Sequence, residues 1–520
     1  MNRIPALGIA VPAADAAALE AKLGEFKVLL DRLPKDLKSK PALLELAPDV
    51  EVFYKAVHDA LAYQEFYSQR EIATAQTLLD EGRRRAEALL QGSPFWTKAT
   101  GLVVRGYRSK IDGSVQPYGL VVPASFQPGS PFKHRLDLWF HGRGEKLTEL
   151  SFINGRMRQI GDFAPPDTFV LHPYGRFCCA NRFAGEVDTF EALAHARKSY
   201  PIDENRLSVR GFSMGGAACW QFAVHSAGMW AAAAPGAGFS ETADFLKVFQ
   251  RERVQPASWE QKLWHLYDSV DYAINLYQCP TVAYSGEIDP QKQAADMMAK
   301  ALAKEGIQMV HVIGPKTKHT YEPKAKEEVS RRIDAIMARG RDPLPSKIHF
   351  TTWTLRYNEM LWVTVDALGQ HWERARVDAE IVGSNAVKLK TENVKALTLS
   401  MAPGLCPLEM TQKPKVIIDG QTIEAPAIGS DRSWTAHFRK EAASWHAVPT
   451  SGSNQLAKRH GLQGPIDDAF MDSFVMVRPS GKAMNPAVDA WVQKEMAHAI
   501  EHWRRQFRGN ARVLSDDQID

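Results

Sequence analysis

The stretch Leu207-Ser208-Val209-Arg210-Gly211-Phe212-Ser213-Met214-Gly215-Gly216 decides the predicted fold. It begins as an apolar β-strand and ends in small residues that open a helix. Gly211 to Gly215 form the one G-x-S-x-G pattern of the sequence. A reactive serine at a sharp strand-to-helix turn needs small neighbours, because larger ones would clash with the adjoining elements. This context favours Ser213 as a nucleophile over an unreactive serine in a glycine-rich turn.

Short apolar segments alternate with helical segments on both sides of this stretch. The predicted strands are Leu136–Phe140, Thr168–Leu171, Leu207–Arg210, Trp230–Ala234, Thr281–Tyr284 and Met309–Ile313. The predicted helices are Asp188–Lys198, Met214–Ser226, Gln291–Glu305 and Glu327–Ala338. A capping box at Asp188 and Glu191 is expected to open the first of them. The alternation predicts an α/β fold whose parallel sheet is covered by helices on both faces.

The spacing of the apolar residues divides the rest of the chain into regions of predicted helices and predicted strands. Residues 1–95 have helical spacing, and residues 96–342 hold the α/β domain, which opens with a predicted hairpin at Leu102–Val122. A Pro-rich junction precedes residues 346–427, which are predicted to form a small β-sandwich. Residues 428–520 mix loops with a strand and a helix. Because the chain stops soon after that helix, the sequence leaves open a continuation beyond its last residue.

Composition limits what the protein can bind. The chain has 520 residues, and 64 Lys and Arg against 60 Asp and Glu give a net charge of +4. This charge does not argue for nucleic acid or an anionic membrane as a partner. No apolar run approaches the roughly 18 residues of a membrane span, and we predict no signal peptide. The 5 cysteines lack a CxxC pattern, so no zinc motif is predicted, and their odd number leaves at least one thiol unpaired.

A nucleophilic serine needs a histidine as general base and a carboxylate that orients it. With a strand-turn-helix nucleophile, both follow the serine in the chain, on loops after later strands. The strand Thr281–Tyr284 runs into Glu287 and Asp289, and the strand Met309–Ile313 runs into His319. We predict His319 as the base and Asp289 as its acid, with Glu287 as the second candidate. The alternative role of Asp289 is to cap the helix that follows it.

The oxyanion of an acyl-transfer intermediate needs two backbone N–H donors. One is predicted at Met214, at the amino end of the helix after the serine. The other is predicted in the loop His141-Gly142-Arg143-Gly144, which follows a strand upstream of the nucleophile, where an H-G-G-G loop is expected. The departure from a full glycine run leaves Arg143 and Gly142 as alternative donors. His141 itself is expected to be structural.

These motifs resemble the α/β-hydrolase superfamily and, within it, the prolyl-oligopeptidase-like serine hydrolases. The resemblance rests on Trp139–Gly142, Arg210–Gly216, Gly286–Asp289 and His319 and covers about residues 100–340. Bacterial proteins with a similar hairpin are described as peptidases or esterases and are commonly exported. The resemblance therefore implies a secreted or periplasmic location, with the cytoplasm left open. Prolyl oligopeptidases proper carry a β-propeller before the hydrolase domain, and its absence here argues against peptidase activity.

Aromatic residues crowd segment 239–278, between the fourth and fifth predicted strands. We predict a lid or acyl-pocket wall there, with Trp259, Trp264 and Tyr267 as substrate contacts. The alternative is that these aromatic helices pack on one another. Arg176, on a loop after an earlier strand, is a candidate partner for a substrate carboxylate or for a structural salt bridge.

The sequence thus predicts a carboxylesterase that cleaves aromatic or short-acyl esters through an acyl-enzyme. The expected partner is a small-molecule ester, and no metal or organic cofactor is required. The first alternative is a prolyl-oligopeptidase-like serine peptidase. The second is a non-catalytic α/β-hydrolase-fold protein that binds a glycan or a partner through the aromatic residues of the β-sandwich, although packing against the hydrolase domain explains those residues better.

Overall fold

The computed structural model describes residues 5–252, 254–452 and 456–519. The chain forms two compact units, one made of Met1–Asp203 with Ala469–Asp520 and the other of Glu204–Asp468. The β-rich region, predicted as a separate domain, thus shares a unit with the carboxyl half of the α/β region. The C-terminal residues belong to the same unit as the N-terminal helices.

The first unit begins with helices and continues with strands of the α/β region. These elements are α1 (Ala13–Asp36), α2 (Pro41–Leu44), α3 (Pro48–Ala62), α4 (Arg70–Leu90), β1 (Gly101–Arg108), β2 (Val115–Val122), β3 (His134–Phe140), α5 (Glu149–Arg158), β4 (Thr168–Pro173) and α6 (Ala184–Ser199). The predicted hairpin is present, because β1 and β2 pair antiparallel from Gly101 opposite Val122. Next in this half, β2 pairs antiparallel with β4, and β3 pairs parallel with β4.

A buried ion pair ties the N-terminal helices of the first unit to its strands. Asp49 of α3 and Arg105 of β1 are both almost fully buried, with Oδ1 of Asp49 at 2.9 Å from Nε of Arg105. The same carboxylate accepts hydrogen bonds from the Trp96 indole at 2.9 Å and from the Gly106 amide at 2.7 Å. Because a buried charge is stable only when it is paired and hydrogen-bonded, this network makes the helices an integral part of the unit.

The predicted capping box of α6 is wrong. The helix begins at Ala184, directly after Phe183 with a positive φ of 52°, so Asp188 lies inside it. The Asp188 carboxylate accepts hydrogen bonds from the Tyr107 hydroxyl and from the Gly175 amide, the latter at 2.9 Å. Glu191 accepts from the backbone N–H of Lys110 at 2.8 Å. Both carboxylates therefore bind other segments, which the local sequence pattern does not reveal.

The second unit begins with the strands and helices that surround the predicted nucleophile. Its α/β elements are β5 (Ile202–Phe212), α7 (Met214–His225), β6 (Ala232–Gly236), α8 (Ala243–Phe245), α9 (Ser258–Trp264), β7 (Val282–Gly286), α10 (Lys292–Lys304), β8 (Val310–Gly314) and α11 (Pro323–Arg339). A short π-helix at Leu246–Gln250 and a 3₁₀ segment at Ser269–Tyr277 complete the region between β6 and β7. The predicted α/β class is confirmed by this alternation.

Parallel pairing brings the ends of these strands to one edge. Neighbours pair in the order β5-β6-β7-β8, for example Ser208 opposite Ala232 and Val282 opposite Val310. The alanines of β6 are buried, and α11 packs on β6 and β7 through Val329, Ile333 and Met337, among other residues. Since parallel strands present their carboxyl ends together, the loops after β5, β7 and β8 gather at the same edge of the sheet.

The β-rich part of the second unit consists of two packed layers of strands. Its strands are β9 (Lys347–Thr352), β10 (Glu359–Met360), β11 (Val363–Leu368), β12 (Ala375–Val382), β13 (Ala386–Glu392), β14 (Val394–Met401), β15 (Lys415–Ile418), β16 (Gln421–Glu424), β17 (Trp434–Glu441) and β18 (Ser444–Val448). One sheet has the order β10-β11-β14-β17-β18 and the other β16-β15-β13-β12-β9. Its strands run to Val448, beyond the predicted limit at residue 427.

Aromatic residues of the β-rich part pack on the α/β part of the same unit. Trp353 stacks on His265 with ring centroids 3.8 Å apart, and Tyr357 stacks on His225 at 3.7 Å. Asn275 also donates to the carbonyl of Thr351 at 3.0 Å. These contacts agree with the expectation of packing for these aromatic residues.

The first unit closes with β19 (Met476–Arg478), α12 (Pro486–Phe507) and β20 (Val513–Ser515), of which β19 and β20 pair parallel. All five cysteines are free thiols. In the part of the chain that the structure describes, no helix is long and apolar enough to cross a bilayer.

Acid is expected to destabilise the first unit through His195. Burial lowers the pKa of His195 from 6.5 to about 4, and its Nδ1 lies 2.9 Å from the Tyr118 hydroxyl. The unfolded chain therefore binds a proton at His195 at a higher pH than the folded chain does. The contribution of neutral His195 to the free energy of unfolding is fully present above pH 6.5 and is lost as the pH falls toward about 4. Thermal unfolding between pH 4 and 8 should show this loss. His195→Gln should flatten the profile, whereas a change of the exposed His498 to Gln should not. If the melting temperature of His195→Gln fell with pH as steeply as that of wild type, His195 would not be the cause of the acid sensitivity.

Candidate active site

Ser213 lies at the strained turn that joins β5 to α7. Its backbone has φ 60° and ψ −122°, a conformation that costs an L-residue on the order of 1–3 kcal/mol. The turn is held by its amide, which donates to the carbonyl of Gly236 at 2.8 Å, and by its carbonyl, which accepts from Ala217 at 3.1 Å. The side chain is half-buried. The predicted strand-turn-helix setting of the serine is therefore present.

Gly211 shows why this turn requires small residues. A β-carbon at this position would lie 2.2 Å from the carbonyl oxygen of Gly215, the residue four places further on. The chain thus folds back on itself so tightly that only glycine fits. The spacing of the G-x-S-x-G pattern has a direct steric cause in this structure.

Asp289 and His319 form a hydrogen-bonded pair at the carboxyl edge of the sheet. Nδ1 of His319 lies 2.7 Å from Oδ2 of Asp289. The Asp289 side chain is 1% exposed and the His319 side chain is 36% exposed. The other carboxylate oxygen of Asp289 accepts the amide of Gln291 at 2.9 Å, so the residue also forms the turn before α10. A carboxylate at Nδ1 fixes the proton there and leaves Nε2 as the basic nitrogen.

Glu287, the second candidate for the acid, does not contact His319. It is exposed, and its Oε2 accepts the backbone N–H of Lys316 at 2.7 Å. Its own amide donates to the carbonyl of Gly314 at 2.9 Å. Glu287 therefore joins the loop after β7 to the loop after β8, and Asp289 is the carboxylate beside the imidazole.

Gly286 lets the loop that carries His319 approach β7. A β-carbon at Gly286 would lie 2.3 Å from the carbonyl oxygens of Thr317 and Lys318. Tyr284, two residues earlier in β7, also contacts this loop, because its hydroxyl donates to the carbonyl of Thr320 at 2.8 Å. The position of His319 therefore depends on residues in the strand that precedes Asp289.

Aromatic rings link the histidine loop to the nucleophile turn. Phe212, the residue before Ser213, lies 4.8 Å from the His319 ring and 4.9 Å from the Tyr321 ring, measured between centroids. Tyr321 in turn stacks on Tyr284 at 4.4 Å. Sequence reasoning missed these supports. The only signal was that Phe212 lies within the serine motif and that Tyr284 ends a predicted strand.

The described residues show no hydrogen bond between the Ser213 hydroxyl and His319. In hydrolases without substrate this contact is often long and tightens only in the Michaelis or transition-state complex. The elements that the structure does fix are the Asp289–His319 pair and the backbone turn at Ser213.

Of the proposed oxyanion donors, Met214 is the first residue of α7, where the amino end of a helix favours negative charge. Gly142 and Arg143 are exposed and follow β3 in the other unit, where Arg143 forms an ion pair with Glu145. Their role as donors stays a prediction. His141 lies with Nε2 at 3.0 Å from the Tyr174 carbonyl, and burial lowers its pKa, as expected for a structural histidine.

Arg176 is not at an open surface. It is fully buried, and its Nη1 and Nη2 lie 3.0 and 3.2 Å from the two carboxylate oxygens of Asp112. A third contact joins Nη1 to the carbonyl of Phe507 at 3.3 Å. Of the two predicted roles, the structural salt bridge is the one the geometry supports, because no substrate carboxylate reaches a guanidinium buried in this way.

The segment between β6 and β7 contains short helical stretches, and its role as a lid stays a prediction. Trp259 on α9 is 63% exposed, Trp264 is half-buried, and Tyr267 is buried at 7% exposure. Part of the aromatic content packs on itself: the ring centroids of Phe239 and Phe245 are 4.2 Å apart. Of the three predicted substrate contacts, Trp259 is the exposed one, and the role of the segment stays a prediction.

Within residues 5–252, 254–452 and 456–519, no group of three or more His, Cys, Asp or Glu side chains is arranged to hold a metal ion.

Residues 185–339 match the model of the prolyl oligopeptidase family, a range that includes Ser213, Asp289 and His319. No curated protein matches the sequence. Among similar solved structures is a fluorophosphonate-binding serine hydrolase of Staphylococcus aureus, with 16% identity, a TM-score of 0.36, and coverage of 46% of this chain and 99% of that one. A thermostable esterase has 19% identity, a TM-score of 0.33, and coverage of 46% and 63%. A puromycin-hydrolyzing peptidase of Mycobacterium tuberculosis has 15% identity, a TM-score of 0.34, and coverage of 46% and only 40%.

The family match confirms the predicted resemblance to prolyl-oligopeptidase-like proteins and, with the observed strand and helix order, the α/β-hydrolase fold class. It also supports the assignment of the chain as a serine hydrolase enzyme.

Proposed function

We propose that the protein cleaves carboxylic esters, with Ser213 as nucleophile, His319 as general base and Asp289 as the carboxylate that orients it. The observation that carries the proposal is the 2.7 Å hydrogen bond between the buried Asp289 carboxylate and Nδ1 of His319. This pair follows strands that end at the same edge as β5, after which Ser213 occupies its strained turn. A nucleophile, a base and an orienting carboxylate are the groups that acyl transfer to a serine uses.

In the proposed reaction Ser213 attacks the acyl carbon while Nε2 of His319 accepts the hydroxyl proton. The negative charge on the tetrahedral intermediate is stabilised by the amide of Met214 at the amino end of α7. His319 returns the proton to the leaving alkoxide as the carbon–oxygen bond breaks. Water, deprotonated by the same imidazole, then hydrolyses the acyl-enzyme and restores Ser213.

The proposed preference for esters follows from the nature of the insertion. An amine must be protonated as it leaves, and an extended peptide needs backbone donors and acceptors along its length. The segment between β6 and β7 contains aromatic side chains among polar ones, and Trp259 is exposed. Burying an apolar or aromatic group contributes roughly 1.5–3 kcal/mol, which suits a compact aromatic or short-acyl group.

We expect an aromatic or short-acyl ester to be hydrolysed with a kcat/KM on the order of 100-fold above that of a prolyl amide with the same acyl group. The measurement is steady-state hydrolysis of the matched ester and amide by the full chain. Ser213→Ala serves as the blank for both substrates, so that spontaneous ester hydrolysis is subtracted.

A prolyl-oligopeptidase-like peptidase is the second candidate, and the family match is the observation that favours it. Equal or higher kcat/KM on the prolyl amide would select this candidate and overturn the ester assignment. Lack of turnover on both substrates, together with failure of Ser213 to react with a fluorophosphonate, would instead point to the non-catalytic binding protein.

A further inference from the structure

His319 lies on the connection between β8 and α11, much of which is exposed. Strand β8 ends at Gly314, and Lys318, His319 and Thr320 are exposed. A segment with few buried contacts depends on hydrogen bonds to keep one conformation. The Asp289 carboxylate holds Nδ1 of the imidazole, but the direction of Nε2 also depends on the backbone that carries the ring.

The residues before His319 are held by the segment that carries the acid. The amide of Glu287 donates to the carbonyl of Gly314 at 2.9 Å. The amide of Ile288 donates to the carbonyl of Thr317 at 3.1 Å. These bonds fix the half of the connection that precedes the histidine, and the half that follows it needs a support of its own.

The side chain of Tyr284 supplies that support. Its hydroxyl donates to the carbonyl of Thr320 at 2.8 Å and accepts from the amide of Glu322 at 2.8 Å. A phenol has one proton to donate and lone pairs to accept, so one oxygen satisfies both backbone groups. Tyr284 is 1% exposed, and burial raises its pKa, so the hydroxyl keeps the proton that it donates. The two bonds lie on either side of Tyr321 and fix the backbone directly after His319.

The main chain of Tyr284 is linked to the nucleophile turn. Gly236 of β6 lies opposite Tyr284 in the sheet, and the carbonyl of Tyr284 accepts the amide of Ala237 at 2.9 Å. The carbonyl of Gly236 in turn accepts the amide of Ser213 at 2.8 Å. One residue therefore contacts the backbone that holds the nucleophile and the backbone that holds the base.

The ring of Tyr321 packs between Tyr284 and the strands that lead to the nucleophile turn. It stacks on Tyr284 with centroids 4.4 Å apart, and its centroid lies 4.9 Å from that of Phe212 at the end of β5. A β-carbon at Gly236 would lie 2.7 Å from the Tyr321 hydroxyl. Tyr321 is thus closely packed on two strands, and the Tyr284 hydroxyl holds the backbone on both sides of it.

We propose that Tyr284 is a positioning residue for catalysis, whose hydroxyl holds the backbone after His319 so that the imidazole faces the Ser213 hydroxyl. The proposal rests on the proposed function, since it needs His319 to be the base for Ser213. The residues involved all belong to the second unit. Tyr284 acts through the backbone of the connection that carries His319 and does not contact the substrate.

The test compares Tyr284→Phe with Tyr118→Phe in the full chain. The first substitution removes the hydroxyl and keeps the ring. We expect it to lower kcat by on the order of 10-fold, because small displacements of a catalytic group have effects of this size or larger. Its KM should stay within about threefold, because His319 is the base in both acylation and deacylation and both steps slow together.

Tyr118→Phe is the matched control. Tyr118 of β2 is also fully buried, and its hydroxyl lies 2.9 Å from Nδ1 of His195. The substitution should lower the melting temperature and keep kcat within about twofold of wild type. The rate at which a fluorophosphonate labels Ser213 is a second readout, since labelling needs the same base. This rate should fall in Tyr284→Phe by the same factor as kcat and stay at the wild-type value in Tyr118→Phe.

Gly314→Ala tests the same contact if Tyr284→Phe does not fold. A β-carbon at Gly314 would lie 2.5 Å from the Tyr284 hydroxyl and 2.8 Å from Cβ of Glu322, so it would push the two apart. In either variant a lowered kcat with little change in KM would support the proposal, and wild-type kcat would overturn it. Equal kcat losses in Tyr284→Phe and Tyr118→Phe would also overturn it.

The wild type and Ser213→Ala separate the positioning role from the proposed function. An inactive wild type, or an active Ser213→Ala, would overturn both. An active wild type and an inactive Ser213→Ala, with wild-type kcat in Tyr284→Phe, would overturn the positioning role alone.

Discussion

Ser213→Ala is expected to reduce ester hydrolysis by on the order of 10⁴- to 10⁶-fold in kcat, because no acyl-enzyme can form without the hydroxyl. The substitution removes one oxygen atom from a half-buried side chain. The fold should therefore be retained, and KM should change little. The measurement is initial-rate kinetics on an aromatic or short-acyl ester, with the melting temperature of each variant as the check on folding.

Ser226→Ala is the matched control for this substitution. Ser226 lies at the other end of α7, directly after His225, so it tests the same helix without touching the site. It should retain wild-type kcat. Substantial activity in Ser213→Ala, or an equal loss in Ser226→Ala, would rule out Ser213 as the nucleophile.

Asp289→Asn is expected to lower kcat by on the order of 10³- to 10⁴-fold. An amide in place of the carboxylate can donate to Nδ1 of His319, which favours the tautomer with the proton on Nε2 and removes the base. The variant also loses the anion that stabilises the imidazolium in the transition state. Steady-state kinetics across pH 6–9 should show the loss at every pH, because the substitution changes the tautomer of the imidazole.

Glu287→Gln separates the two carboxylates of this loop. Glu287 accepts the amide of Lys316 and does not contact the imidazole, and a glutamine oxygen can accept the same hydrogen bond. We expect its kcat to stay within about fivefold of wild type. A large loss of kcat in Glu287→Gln with a small loss in Asp289→Asn would assign Glu287, and not Asp289, as the carboxylate that orients His319.

The elements around the site could be predicted because their signals are local. The strand before Ser213 and the small residues after it lie within ten positions, and the close approach at Gly211 explains why the pattern has that spacing. Asp289 and His319 could be paired because parallel strands present successive loops at one edge. Each step needed only the order of strands and the residues that follow them.

The contacts that join distant segments left no such signal. Arg508 and Glu149 are 359 positions apart, and nothing in either neighbourhood indicates the other. For the same reason the sequence suggested that the C-terminal residues were a separate mixed region, whereas they share a unit with the N-terminal helices. The capping box failed because Asp188 binds Tyr107 and Gly175, and only the folded chain brings these groups together.

Aromatic residues were the least specific signal in the sequence. Trp353 and Tyr357 stack on histidines of the α/β part, and Phe239 packs against Phe245, as core residues do. Trp259 is a tryptophan like Trp353 and lies in the same segment as Phe239, yet it is 63% exposed. Composition alone does not distinguish a packed ring from one that is free to contact a ligand.

The most direct test of the account is reaction of the full chain with a fluorophosphonate, followed by mass spectrometry of the intact protein and of its peptides. The account predicts one adduct per chain, on the peptide that contains Ser213, with hydrolytic activity lost in proportion to labelling. Ser213→Ala should not be labelled, and Asp289→Asn should be labelled far more slowly than wild type. An adduct on another residue, or full ester hydrolysis by a chain labelled at Ser213, would contradict the assignment of Ser213 as the nucleophile.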